Sequence, residues 1–427
     1  MRPVRVPLTI MKEGCDARCL SGAHAGRAVY QDAGLVAAAA LRSRAVPLPA
    51  TLLEDPLRML DHATPQPGPA ALDLTWPDGA TGTFPYLWLR ENCASAWHPV
   101  TQERILDMLS IPVDIAPEAV DVSGGKLVID WPGHRSEFSL DWLRAHRPGH
   151  AFDDPAAVPP TPWRRALGAG GVLRVSGPEV MESDAALLDW LRAFRATGVS
   201  IVEGLPDDPE AGQQVARRIG FLRETNFGVL FEVQTKPNPN NLAYTSEALP
   251  LHTDLPNQEL PPGIQFLHCL ANEAEGGASV ISDGLAMAED LQAEDPEAFD
   301  LLTRVSIPFR FYDGTHDIRR RQFVITLGPE GKFQEICWSS HLRGIFDMSP
   351  EVMAPFYRAY RAFLAKTLDP AYRVDLRLSA GEMIVFDNRR VLHGRTAFDP
   401  QTGHRHLRGC YVDRGELDSR IRVLARG

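Results

Sequence analysis

The chain has 427 residues, 44% hydrophobic and 23% charged, which is long enough for two or three domains with a large core and excludes a mostly disordered chain. Lys and Arg number 44 against 55 Asp and Glu, a formal net charge of −11, so the broad basic footprint of a nucleic-acid or anionic-membrane binder is absent. Six cysteines (Cys15, Cys19, Cys93, Cys269, Cys337 and Cys410) are spread thinly and read as reduced thiols of a cytoplasmic protein, not as a disulfide framework.

Residues 1–65 form an Ala- and Arg-rich extension with no clear amphipathic period. It is expected to be poorly ordered, or not made at all if Met59 is the true start. Its longest apolar run, Gly34 to Leu41, is too short to cross a bilayer, and no secretory cleavage site stands out. Cys15, Cys19 and His24 lack a fourth partner, so a zinc reading of them is not favoured.

Residues 66–150 read as a small β-rich domain. Leu72 to Trp76 alternates apolar and polar, Pro77-Asp78-Gly79 supplies a turn, and Thr83 to Leu87 resumes, the pattern of a hairpin. Val120 to Val122, Gly124-Gly125 and Lys126 to Trp131 make a second hairpin, and a short helix is expected at Asp141 to Leu143. Trp76, Trp88, Trp131 and Trp142 are the expected core. Residues 151–175, with Pro155, Pro159, Pro160 and Pro162, read as a linker.

Residues 176–427 carry the remaining elements. Helical spacing marks Ser183 to Ala196, capped by Ser183, then Glu210 to Ile219 and Pro350 to Thr367. Short strands are expected at Gly263 to Leu270, Ser279 to Ser282, Phe323 to Thr326, Met383 to Phe386 and Leu407 to Val412. Many short strands parted by Gly, Pro and Asp turns predict a mainly β, α+β chain. Its catalytic domain is a jelly roll, or double-stranded β-helix, with flanking helices.

Phosphate loops, H-E-x-x-H, G-x-S-x-G and paired C-x-x-C motifs are missing. What stands out is His252-Thr253-Asp254 and, far downstream, His393-Gly394-Arg395. On a strand, residues i and i+2 share a side, so His252 and Asp254 can face one ion together. A histidine from another strand, His393, completes two histidines and a carboxylate, which leaves open positions on Fe(II). Arg405 follows one strand later, and its planar fork suits a carboxylate.

The runs Asn240 to Thr245, Leu251 to Pro256, Pro262 to Cys269, Phe386 to Asn388, Leu392 to Arg395 and Arg405 to Tyr411 together resemble the γ-butyrobetaine dioxygenase and trimethyllysine dioxygenase family of Fe(II)- and 2-oxoglutarate-dependent oxygenases, over roughly residues 70–427. The resemblance implies that His252, Asp254 and His393 bind Fe(II). It places Arg405 on the distal carboxylate of 2-oxoglutarate, with Ser279 as a helper. Dioxygen is the oxidant and ascorbate the reductant. It further implies an aromatic cage for a trimethylammonium group at Phe227, Phe231, Tyr244 and Tyr411, with Asn241 on the substrate carboxylate. A quaternary ammonium has no N–H to donate, so ring faces are its main selective attraction. Phe227 and Phe231 stand where the family carries Tyr and Trp, and Trp338-Ser339-Ser340-His341 replaces an asparagine-rich stretch of animal relatives. Both phenylalanines can also be read as core.

Trp88 to Cys93 and Trp131 to His134 resemble the family's zinc segments, but Cys93 and His134 are left without the other cysteines. Zinc is therefore not expected. The implied activity is hydroxylation of γ-butyrobetaine to L-carnitine with release of succinate and CO2, and the alternative is a related hydroxylase of trimethyllysine, another betaine or an amino acid. A non-catalytic jelly roll that binds a betaine or 2-oxoglutarate fits less well, because binding alone would not require His252, Asp254, His393 and Arg405 together. The expected partner is a small trimethylammonium carboxylate, with no nucleic acid and no membrane, and the family implies a homodimer.

Overall fold

A computed structural model describes residues 63–151 and 153–427; the readings of Cys15, Cys19, His24 and Met59 lie outside them. The chain divides into two compact units between Pro148 and Gly149.

The first unit holds two three-stranded antiparallel sheets. One is Thr64–Pro67, Ala71–Thr75 and Thr81–Pro85, and the other is Ala119–Ser123, Lys126–Trp131 and His134–Ser139. The first strand thus begins inside the stretch assigned to the extension. Both expected hairpins form, with Leu72 opposite Phe84 and Val122 opposite Leu127. The alternation sends Leu72, Leu74, Phe84, Leu127 and Ile129 into one core with Trp76 and Trp131. Trp88 and Trp142 are only half-buried: they lie on short helices flanking the sheets and pack on each other with ring centroids 5.8 Å apart.

The second unit is built on a six-stranded and a four-stranded sheet. The six-stranded order is Arg174–Ser176, Val199–Glu203, Met383–Asp387, Ile264–Asn272, Arg405–Val412 and Phe231–Val233; the four-stranded order is Leu249–His252, Val391–Arg395, Ser279–Asp283 and Val374–Leu376. Every pairing within these two sheets is antiparallel except Arg174–Ser176 with Val199–Glu203. Period-two alternation assigns each side chain a layer. Ile264, Phe266, Met383, Val385, Cys410 and Val412 pack against the helices Asp184–Thr197, Ala211–Ile219 and Arg414–Leu424. Ile384, Phe386 and Leu407 turn the other way, toward Ile281 and Val391 of the second sheet. A third cluster under the helix Pro350–Leu368 buries Phe356, Phe363 and Trp338.

Two elements differ from expectation. Residues 323 and 324 are not strand; Asp317–Gln322 and Ile325–Leu327 are separate strands of different hairpins, with a bend between them. The proline-rich stretch is not a free spacer. Trp163 is buried, its backbone N–H donates to Asp283 Oδ2 at 3.0 Å, and its indole N–H donates to Thr197 O at 2.8 Å. Arg390 secures the same junction. Its guanidinium donates to both oxygens of Asp283 (3.0 and 2.9 Å) and to the carbonyls of Ala196 and Thr161, while Asp283 Oδ1 also caps the helix Gly284–Glu294. The pair is almost wholly buried. Arg390→Leu would leave Asp283 buried and unpaired, and urea denaturation is expected to show a loss of about 3–5 kcal/mol.

Candidate active site

The two histidines of the site are cross-strand neighbours. In the antiparallel pair Leu249–His252 and Val391–Arg395, His252 stands opposite His393 and their ring centroids are 4.3 Å apart. The His252 Nδ1–H donates to the Pro250 carbonyl at 2.9 Å, which turns Nε2 to the cavity.

Asp254 is not on that strand. The strand ends at His252, and the turn that follows contains Leu255 at φ +54°, so the carboxylate is aimed by a loop and not by strand alternation. Asn388 holds this loop. Its Oδ1 accepts from the Asp254 N–H at 2.6 Å, and its amide nitrogen donates to the carbonyls of Asp254 and Pro262, both at 3.1 Å. Asp254 Oδ1 then lies 3.1 Å from His252 Nε2 and 3.5 Å from His393 Nε2. Burial alone would raise the Asp254 carboxyl, but His393 and His252 hold it well below the usual range. Burial and the neighbouring His252 push His393 down. A carboxylate oxygen beside two imidazole nitrogens is a ready donor set. Among the described residues it is the one cluster of three or more His, Cys, Asp or Glu side chains placed to hold a metal ion, and two nitrogens and one oxygen fit Fe(II).

All ten residues expected at the iron, cosubstrate and substrate positions line one cavity between the two sheets: His252, Asp254, His393, Arg405, Ser279, Phe227, Phe231, Asn241, Tyr244 and Tyr411. Arg405 is buried and donates through Nε to the Gly277 carbonyl at 3.3 Å. Gly277, at φ +67°, must be glycine, because a Cβ there would come within 2.9 Å of that Nε. The terminal nitrogens of Arg405 have no protein acceptor among the described residues, and burial lowers the group to about 10 without discharging it at neutral pH. Since Asp254 is the sole carboxylate lining the cavity among the described residues, the free fork fits a carboxylate of 2-oxoglutarate.

The rings surround the other side. Phe227 meets Tyr244 edge-on at 6.4 Å, and Phe231 stacks on Tyr411 at 4.9 Å. Asn241 Oδ1 accepts from the Ala243 N–H at 2.9 Å, which leaves its amide N–H groups as donors. The Phe231 ring lies against Gly409, directly across the sheet, where a Cβ would collide with it.

Several further residues shape the site. Arg395, two positions from His393, donates to the carbonyls of Ala243, Thr245 and Glu247 and so ties the metal-bearing strand to the Tyr244 loop. His341 closes the cavity with its ring 4.9 Å from His252, and burial with His252 lowers it to about 3, keeping it neutral. Gln265 faces the cavity with its amide oxygen buried and unpaired. Arg395, His341, Gln265 and Asn388 all fall inside or beside motifs recognisable in the sequence, but only proximity in the fold gives them work.

In the first unit, Cys93 Sγ is 3.4 Å from His134 Nε2 and 2.9 Å from Ser95 Oγ. The two family-type ligands do meet, but a serine hydroxyl stands beside them where a thiolate would be needed, and this set does not fit structural zinc.

Cavity, open ligand face and free guanidinium define a non-haem oxygenase site. The model for the taurine catabolism dioxygenase TauD, TfdA family matches residues 157–411, and that for the N-terminal domain of γ-butyrobetaine hydroxylase-like proteins matches residues 66–144. The γ-butyrobetaine dioxygenase of Pseudomonas sp. (strain AK-1) is 44% identical over 362 residues, covering 84% of this chain and 94% of that protein. The human γ-butyrobetaine dioxygenase is 30% identical over 84% of this chain and 95% of its own length. Trimethyllysine dioxygenase of Meyerozyma guilliermondii is 30% identical over 83% of this chain and 93% of its own. The chain belongs to the TauD, TfdA dioxygenase family. It is a 2-oxoglutarate-dependent dioxygenase.

The contact at position 409 is directly testable. Gly409→Ala is expected to displace the Phe231 ring and cost about 1–3 kcal/mol of stability in urea denaturation. Metal binding at His252, Asp254 and His393 should survive it.

Proposed function

We propose that the chain hydroxylates γ-butyrobetaine to L-carnitine. The observation that carries this reading is one cavity in which aromatic residues and a two-histidine, one-carboxylate cluster face each other. His252, Asp254 and His393 would hold Fe(II), and Arg405, helped by Ser279, would seat 2-oxoglutarate by its distal carboxylate. With ascorbate keeping the iron reduced, the bound group supplies the oxidation: one oxygen atom of O2 enters the substrate C–H bond and the other leaves in succinate as CO2 is lost.

The protein's own share is placement. Phe227, Phe231, Tyr244 and Tyr411 receive the trimethylammonium group on their ring faces, and Asn241 donates to the carboxylate at the other end. Holding both ends fixes which C–H bond points at the metal. The apolar wall, with Val233, Leu267 and Leu407 between the polar groups, keeps water from the reacting atoms.

The choice of γ-butyrobetaine over trimethyllysine rests on charge. Trimethyllysine adds an α-ammonium group that needs an acidic partner, and the cavity's sole carboxylate, Asp254, is engaged with the histidines. The two sheets are read as the family's double-stranded β-helix. No helix among the described residues is long and apolar enough to cross a membrane. A cytoplasmic homodimer, without nucleic-acid or membrane partners, completes the proposal, and sedimentation tests the assembly. Metal analysis is expected to find no stoichiometric zinc at Cys93 and His134.

The activity test is succinate release from 2-oxoglutarate with Fe(II) and ascorbate, alongside the mass of the product. γ-Butyrobetaine should gain one oxygen atom, and His252→Ala should abolish the reaction. Phe227→Ala should raise KM for γ-butyrobetaine by about tenfold, the worth of one desolvated cation–π contact, while the KM for 2-oxoglutarate stays put. Turnover of trimethyllysine in preference to γ-butyrobetaine would overturn the substrate assignment.

A further inference from the structure

We propose that the hydroxyl of Tyr411 is a positioning group for the metal-binding carboxylate, separate from any part its ring plays in the cage. The Tyr411 hydroxyl donates to Asp254 Oδ2 at 2.7 Å. The two oxygens of Asp254 are therefore divided. Oδ1 faces the Nε2 atoms of His252 and His393, and Oδ2 is held on the opposite side by the phenol.

Chemistry at the four cage positions supports the division. A trimethylammonium group needs only a ring face, and at Phe227 and Phe231 the chain supplies rings with no hydroxyl. Tyr244 keeps its hydroxyl but bonds it to no protein group among the described residues. Tyr411 alone among the four connects the cage to the metal cluster. Its neighbours fix it from both sides: Phe231 stacks on its ring at 4.9 Å, and Gln265 is its register partner on the adjoining strand.

Restraining Oδ2 holds the carboxylate in the orientation in which Oδ1 faces both imidazoles, as an ion bound there would need. With Oδ2 released, the carboxylate is free to rotate away from that orientation, and the three donors are no longer pre-arranged for an ion. The single bond thereby orients the ligand. This inference rests on the metal assignment made above and, for its second readout, on the substrate assignment.

Tyr411→Phe removes the hydroxyl and keeps the ring, so the two roles separate. Full-length wild-type and variant proteins would be titrated with Mn(II), with free Mn(II) read by electron paramagnetic resonance. The variant is expected to bind Mn(II) about ten- to a hundredfold more weakly, the usual effect of losing a partner that orients a metal ligand. In an assay saturated with Fe(II), it should show a lower kcat with KM for γ-butyrobetaine nearly unchanged. Tyr411→Leu, which also removes the ring, should raise that KM as well. Equal Mn(II) affinity in wild type and Tyr411→Phe would overturn the proposal. So would weaker binding matched by an equal loss of metal-free stability in urea, since that marks a merely structural hydroxyl. A wild-type protein that binds Mn(II) but ignores γ-butyrobetaine would sink the substrate assignment, and the Mn(II) titration would still decide this one.

Discussion

Asp254 is a carboxylate that must stay ionised inside an apolar cavity, and much of the second unit is arranged around that demand. Burial alone drives such a group toward its neutral form. Here the surrounding groups more than offset it: two imidazoles face one oxygen, a phenol donates to the other, and an asparagine side chain brackets the backbone on either side. Each partner comes from a different segment. The six-stranded sheet supplies Tyr411, the four-stranded sheet supplies both histidines, and the turn after Met383–Asp387 supplies Asn388. The site therefore exists only once the sheets have closed on each other.

Charge in the rest of the cavity follows from the same enclosure. Arg395 and Arg405 flank the ring of Phe398, at 4.8 and 5.6 Å, and neither meets a carboxylate among the described residues. Arg395 bonds its terminal nitrogens to backbone carbonyls and becomes a structural tie; Arg405 keeps its terminal nitrogens free of protein acceptors among the described residues, as a carboxylate-binding group would need. Two residues of one type, close together and equally buried, thus differ in function through the acceptors within reach. The same reasoning distinguishes Tyr411 from Tyr244, whose hydroxyls have different neighbours.

The first unit holds its fold without a metal-ligand cluster among its described residues. Cys93 and His134 still approach each other, with Ser95 bonded to both. The apolar core of Leu72, Phe84, Leu127, Ile129, Trp76 and Trp131 takes in Cys93, while His134 is half-buried and Ser95 exposed, so the two sheets are held by burial of apolar surface.

Periodicity and residue chemistry made a good deal of this protein legible in its sequence. Short apolar runs between Gly, Pro and Asp turns marked strands at 263–270, 383–386 and 407–412, which form as Ile264–Asn272, Met383–Asp387 and Arg405–Val412, and helical spacing with a capping serine located Asp184–Thr197. Such patterns are local and survive in one dimension. The ligand types were also legible, because two histidines, a carboxylate and an arginine in order, within linked motifs, suit few chemistries. The sequence misread how Asp254 is placed: strand alternation was the natural explanation, but a turn with a left-handed leucine and an asparagine 134 residues away does the work. The roles of His341, Gln265 and Arg395 and the hydroxyl bond of Tyr411 were equally out of reach. Those depend on which side chains meet when distant strands pair, and residue order alone does not specify the distance between atoms hundreds of positions apart.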